Sequence, residues 1–119
     1  MTTAHVHRAS AEMQECIDAC LACHATCIRT IGYCLAQGGR HAAPDHIRLM
    51  ADCVEMCQTC AHFLLRGSEL HHQTCGLCAE VCRRCAESCE QLGNDPAMQA
   101  CVAACRRCVA TCERMAHAA

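Results

Sequence analysis

From Glu15 to Cys34 the chain reads ECIDACLACHATCIRTIGYC, with cysteines at 16, 20, 23, 27 and 34. Steps of four, three, four and seven residues follow the turn of an α-helix, whose core-facing positions recur every three or four residues. The rest of the chain keeps the rhythm. Cys53, Cys57 and Cys60 form a second group, Cys75, Cys78, Cys82, Cys85 and Cys89 a third, and Cys101, Cys105, Cys108 and Cys112 a fourth. Thiols therefore occupy the positions at which a helix bundle ordinarily carries Leu, Ile or Val.

The gaps between the groups have turn chemistry. QGGRHAAPD (37–45) has paired glycines and then Pro44, which suits the first turn of a new helix. RGSE (66–69) offers Gly67 as a stop and Ser68 as a cap, and LGNDPA (92–97) offers Gly93 as a stop, Asn94 or Asp95 as a cap, and Pro96. Helices are predicted at about 5–36, 45–66, 69–92 and 96–117. Short connectors favour antiparallel neighbours, so the expected fold is all-α, an up-down-up-down four-helix bundle forming one domain over residues 1–119 around a cysteine-lined core. The seams continue past the thiols: Met13 on the first helix, His46, Met50 and Leu64 on the second, His71 and Leu92 on the third, Met98 and Met115 on the fourth. On the outer face of the third, Glu80/Arg84 and Arg83/Glu87 are spaced as i,i+4 ion pairs.

Composition removes several classes of function. The formal net charge is −2 and no basic block stands out, so nucleic acid and acidic membranes have little electrostatic support. Tyr33 and Phe63 are the only aromatic residues, too few for a base-stacking platform. The N-terminal MTTAHVHRASAEMQ lacks the apolar run of a secretory signal, and no stretch is expected to reach the ~18 apolar residues of a membrane span. The expectation is a cytoplasmic chain. Disulfides fit poorly there, because the seventeen cysteines are odd in number and lie in helical register rather than in loops. Leu, Ile, Val and Phe together number 18 of 119, so sulfur must supply much of the core volume.

A thiol interior is a poor route to stability, since small core residues leave cavities that cost a few kcal/mol each. Thiolates are, however, soft ligands that select Cu(I), Zn or iron–sulfur clusters. Zinc would want four thiolates per ion and leave −2 on each site, and the seams offer no Lys or Arg to offset a stack of such charges. Cu(I) is monovalent, takes two or three thiolates and shares them, so about one ion per thiolate brings the core near neutrality. Cys residues at i and i+4 stand roughly 5–6 Å apart between Cβ atoms, close enough to converge on one ion. Seven such pairs occur: 16/20, 23/27, 53/57, 78/82, 85/89, 101/105 and 108/112. Ferredoxin spacing is absent, CxxC lacks a βαβ context, and Glu69-x-x-His72 is the one match to a di-iron bundle motif. No activated nucleophile is legible, so an enzyme is not expected. The alternative is a thiol-rich buffer or detoxifier for Zn, Cd or Hg.

Serial CxxxC pairs on an inward-facing four-helix seam, from about Glu12 to Met115, resemble the bacterial copper storage proteins, especially their cytosolic branch. The resemblance implies a homotetramer of bundles, each protomer holding many Cu(I) ions along its axis for storage and protection from copper toxicity. It implies that all seventeen cysteines are ligands. The second helix departs from the pattern in having three cysteines, with His46 and Met50 at its outer end. Antiparallel packing is expected to gather Cys34, His46, Met50 and Met98 near His41 at one end, a candidate copper entrance with softer ligands, and Met13, His71 and Met115 at the other. Beside the first seam, Ile17, Leu21, His24, Ile28, Ile31 and Leu35 make a second stripe, expected to be a subunit interface with His24 as a contact residue. His5 and His7 precede the seam without an assigned role, and no copper donor or recipient is identified.

Overall fold

The structure is a computed structural model that describes residues 10–117. Among these residues there are four α-helices and no strand: α1 (Ala11–Gln37), α2 (Pro44–Leu65), α3 (His71–Glu90) and α4 (Pro96–His117), with a single 3₁₀ turn, Gly39–Ala42, between the first two. His5 and His7, and the part of the first helix expected before residue 10, lie outside the described residues. Each helix packs on two neighbours, α1 on α2 and α4, and α3 on α2 and α4, so the four make a square with the seams facing its centre.

Local chemistry sets the helix limits. Ser10 caps α1, its hydroxyl accepting from the Met13 amide at 3.1 Å, with Glu12 in the first turn. Pro44 opens α2, where its missing N–H is no loss. At the far end of α2 the Ser68 amide returns to the Phe63 carbonyl (3.0 Å) and the Gly67 amide to that of Leu64 (3.1 Å), a Schellman closure. That closure puts Gly67 at φ 67°, a conformation that side chains with a Cβ rarely adopt. Ser68 then accepts from the Leu70 amide, one turn before α3 begins, so α3 starts two residues later than its spacing predicts. Asp95, expected as a cap, has its carboxylate engaged by the Tyr33 hydroxyl instead.

All seventeen cysteines are free and fully buried. Leu64, Met50 and Met98 are the largest wholly buried side chains, while Ala61, Ala79 and Ala86 line the rest of the helix contacts. Small residues there let the helices approach closely enough for thiols on different helices to touch. Two surface expectations change. Arg83 bridges Glu80 and Glu113 of α4, both at 2.5 Å, in place of Glu87, because the neighbouring helix brings an acid nearer than the next turn does. Glu80 keeps Arg84 at 2.7 Å. And α1 is, by length and composition, long and apolar enough to cross a bilayer, contrary to expectation. Cysteine is what makes it apolar, and its five cysteines are turned into the bundle.

Candidate metal centre

Helical spacing places the thiols of each helix in one inward row, and the square brings four rows together. Four of the seven i,i+4 pairs meet directly: Cys23/Cys27 and Cys108/Cys112 at 3.8 Å, Cys78/Cys82 at 3.9 Å and Cys53/Cys57 at 4.0 Å between Sγ atoms. Contacts between helices are as short or shorter. Cys57 and Cys82 lie 3.5 Å apart, Cys16 and Cys112 3.6 Å, Cys60 and Cys75 3.6 Å, and Cys23 and Cys105 3.7 Å. Toward the Cys34 end, Cys101 reaches both Cys27 and Cys89 at 3.7 Å.

These contacts close into quartets whose Sγ atoms all lie within 4.8 Å of one another. One takes a thiol from each helix: Cys20, Cys60, Cys78 and Cys112. Four more combine one i,i+4 pair with a thiol from each of two other helices. They are Cys57, Cys78, Cys82 and Cys108; Cys23, Cys53, Cys57 and Cys82; Cys23, Cys27, Cys53 and Cys105; and Cys27, Cys85, Cys101 and Cys105. In that order each quartet shares at least one cysteine with the next, so the sulfurs form an unbroken ladder along the bundle axis.

The interior is electrostatically bare. Thr30, His46 and Thr111 are the buried polar residues among those described, and both threonines bond to carbonyls of their own helices. Among the described residues no Lys or Arg side chain is buried with the thiols. Hydrogen bonding among the thiols divides them: that to Cys101 pushes Cys105 far above its usual value and that to Cys108 does the same for Cys112, while that to Cys112 holds Cys16 down at about 5. An entering metal ion must displace the protons that the raised thiols keep.

The chain belongs to the copper storage protein family. The family model for copper storage protein matches residues 9–117, almost the whole chain and the whole ladder. Structural relatives agree. The Nmul_A1745 protein of Nitrosospira multiformis is 48% identical, covers 88% of this chain and 94% of its own, and superposes with a TM-score of 0.83. The Cu(I)-bound copper storage protein BsCsp3 is 30% identical over 88% of this chain and 98% of its own, with a TM-score of 0.81. A cysteine-rich protein of Bacillus subtilis, YhjQ, is 31% identical over 82 residues, covering 69% of this chain and 76% of its own.

Within this copper storage fold the two ends differ. At one, Cys34 Sγ stands 3.4 Å from His46 Nε2 and 3.7 Å from Met98 Sδ. Met50, one turn beyond His46, is fully buried. Burial lowers the His46 pKa, which keeps its imidazole neutral, and burial raises the Cys34 thiol to about 11. Sequence reading missed two neighbours. Ser88 Oγ lies 2.8 Å from His46 Nδ1, leaving Nε2 to face the sulfurs, and its only signal is a polar residue between Cys85 and Cys89. Tyr33, whose hydroxyl is taken by Asp95, sets its ring edge-on to His41 at 6.1 Å, and His41 Nε2 is sealed from solvent with no hydrogen-bond partner. At the other end His71 donates from Nδ1 to the Ser68 carbonyl at 2.8 Å, its ring against His72, while Met115 is buried and Met13 half-buried. Within the stripe on α1, Ile17 enters the core, and His24 Nδ1 donates to the Val54 carbonyl of α2 at 2.8 Å, a contact inside the chain. Leu21, Ile28 and Leu35, seven residues apart, stay 41, 49 and 55% exposed.

Proposed function

We propose that this chain stores Cu(I), with all seventeen cysteines as ligands and many ions per chain, and that it does so in the cytoplasm as a binding protein without turnover. One observation carries the reading: successive quartets share members. Sulfur that is shared can serve every site at once only if it bridges, and Cu(I) is the soft ion that accepts few thiolates and lets them bridge. The thiols face one another rather than a substrate-sized opening, which fits holding and not catalysis. A reducing compartment keeps them as thiols.

His46, Met50 and Met98, with Cys34, form the entrance. Thioether and neutral imidazole hold Cu(I) less tightly than thiolate, so an ion captured there passes inward to stronger ligands. The orphan nitrogen of His41 adds a donor just outside.

The test is an anaerobic Cu(I) titration against a competing chelator, on the parent chain and on Met50→Leu/Met98→Leu. The parent should take up well over about ten ions, approaching one per thiolate. The double variant should reach the same endpoint several-fold more slowly. A parent endpoint near four ions, with helices that form only as metal is added, indicates a Zn, Cd or Hg buffer instead. Unchanged rates in the variant remove the entrance.

The chain assembles as a homotetramer, in which a second copy covers Leu21, Ile28 and Leu35, an apolar row on the outer surface of α1 with heptad spacing. Replacing all three with Glu should leave helicity intact and shift sedimentation from tetramer to monomer. A parent chain already monomeric at micromolar concentration rules this assembly out.

A further inference from the structure

We infer that the core also admits tetrahedral divalent ions of the zinc type, at least three to a chain, as occupants that Cu(I) displaces. The inference uses the same thiols as the storage reading but stands on a different observation, the shape of the quartets. A tetrahedral ion with Zn–S bonds of about 2.3 Å needs sulfurs about 3.8 Å apart. Around Cys53 the observed edges are 3.7 Å to Cys82, 3.8 Å to Cys23 and 4.0 Å to Cys57, and Cys57–Cys82 closes at 3.5 Å. Those four edges have tetrahedral length, and the other two, from Cys23 to Cys57 and to Cys82, lie within 4.8 Å, so the quartet closes on a tetrahedral ion with an inward shift of Cys23.

Such an ion, unlike Cu(I), requires four thiolates to itself, because a structural zinc site is closed. The overlap of the ladder then limits its number. Three of the quartets share no member, Cys20/Cys60/Cys78/Cys112, Cys23/Cys53/Cys57/Cys82 and Cys27/Cys85/Cys101/Cys105, so at least three ions fit at once. The cysteines they leave are Cys108 and two at each end, Cys16 with Cys75 and Cys34 with Cys89. Each ion entering releases four protons and leaves a buried tetrathiolate of net charge −2, with no cationic side chain in the core to offset it. Univalent copper relieves that charge, so it displaces the divalent ion.

The experiment is an anaerobic titration of the reduced full chain with Co(II), whose visible bands report tetrahedral thiolate ligation, followed by Cd(II) and then Cu(I). The tetrahedral bands should grow to at least three equivalents, transfer to Cd(II) at the same stoichiometry, and be bleached by Cu(I), with helicity constant throughout. Cys105 belongs to two of the quartets, so Cys105→Ser should lower the endpoint. Cys108 belongs to none of the three, so Cys108→Ser should keep at least three. Octahedral Co(II), an endpoint below three, or an unchanged endpoint in Cys105→Ser overturns the inference. Cu(I) capacity is measured on the same samples. Full copper loading with failed Co(II) loading rejects this inference alone, and the reverse result rejects copper storage alone.

Discussion

Filled with Cu(I), the bundle should survive heating that unfolds the metal-free chain. The metal-free core is a weak one: its centre is cysteine, and among the described residues only Ile17, Val54 and Leu64 supply buried branched aliphatic volume. A small domain has about 5–15 kcal/mol of stability to begin with, and a core of small side chains places this one toward the lower figure. Copper acts through linkage. An ion present at a thousandfold excess over its dissociation constant adds about 4 kcal/mol for each independent site. A few such ions already double the stability of an ordinary domain. The unfolded chain also offers thiols, which reduces the gain, but it cannot gather sulfurs from three helices around one ion. Calorimetry of the loaded chain should therefore show no transition below about 90 °C, while the metal-free chain melts cooperatively well below that. Stripping copper with a chelator should restore the lower transition. Coincident transitions in the two forms contradict metal binding in the core.

The second large effect is Cys57→Asp. Cys57 is fully buried, and its sulfur lies within 4.0 Å of those of Cys53, Cys78, Cys82 and Cys108. A carboxylate there would have four thiols for neighbours and no cation. An uncompensated buried charge destabilises by about 3–5 kcal/mol, a large fraction of the total. Burial raises the pKa of such a carboxyl in the folded state above its unfolded value. The sign follows: the penalty is full at neutral pH and shrinks as pH falls through the raised value, where the group becomes neutral. Urea unfolding at neutral and at mildly acid pH should show this, the variant recovering toward the parent as pH drops. The control is Arg84→Asp, on an exposed ion pair with Glu80, which should change stability by less than about 1 kcal/mol. Equal losses at both positions would mean that Cys57 is not enclosed.

Much of the site was legible along the chain because a helix converts spacing directly into a face. Cys23 and Cys27 had to share a face, whatever the fold, and so did Cys78 and Cys82. The Cys34, His46 and Met98 cluster was legible for a similar reason: antiparallel helices must bring the start of α2 and of α4 to the end of α1, so the three meet. Ser88 was not legible. Its value depends on the rotation of α3 toward the His46 ring, and a serine outside the cysteine row looks like any other exposed polar residue. The His24 bond was not legible either: in the sequence it is one member of an apolar row, and its hydrogen bond to the Val54 carbonyl depends on how close α2 lies.

By itself the sequence determined that four helices form, which way each turns its sulfur, and that the metal should be soft. Periodicity and ligand chemistry are local properties, and both survive without knowledge of what lies opposite. Only the tertiary structure decided which thiols become neighbours. Cys16 meets Cys112 across 96 residues and Cys23 meets Cys105 across 82. Those meetings turn separate pairs into overlapping quartets. They depend on axial register and on how closely the helices approach, which are set by the packing of buried side chains from all four helices at once and not by any one segment.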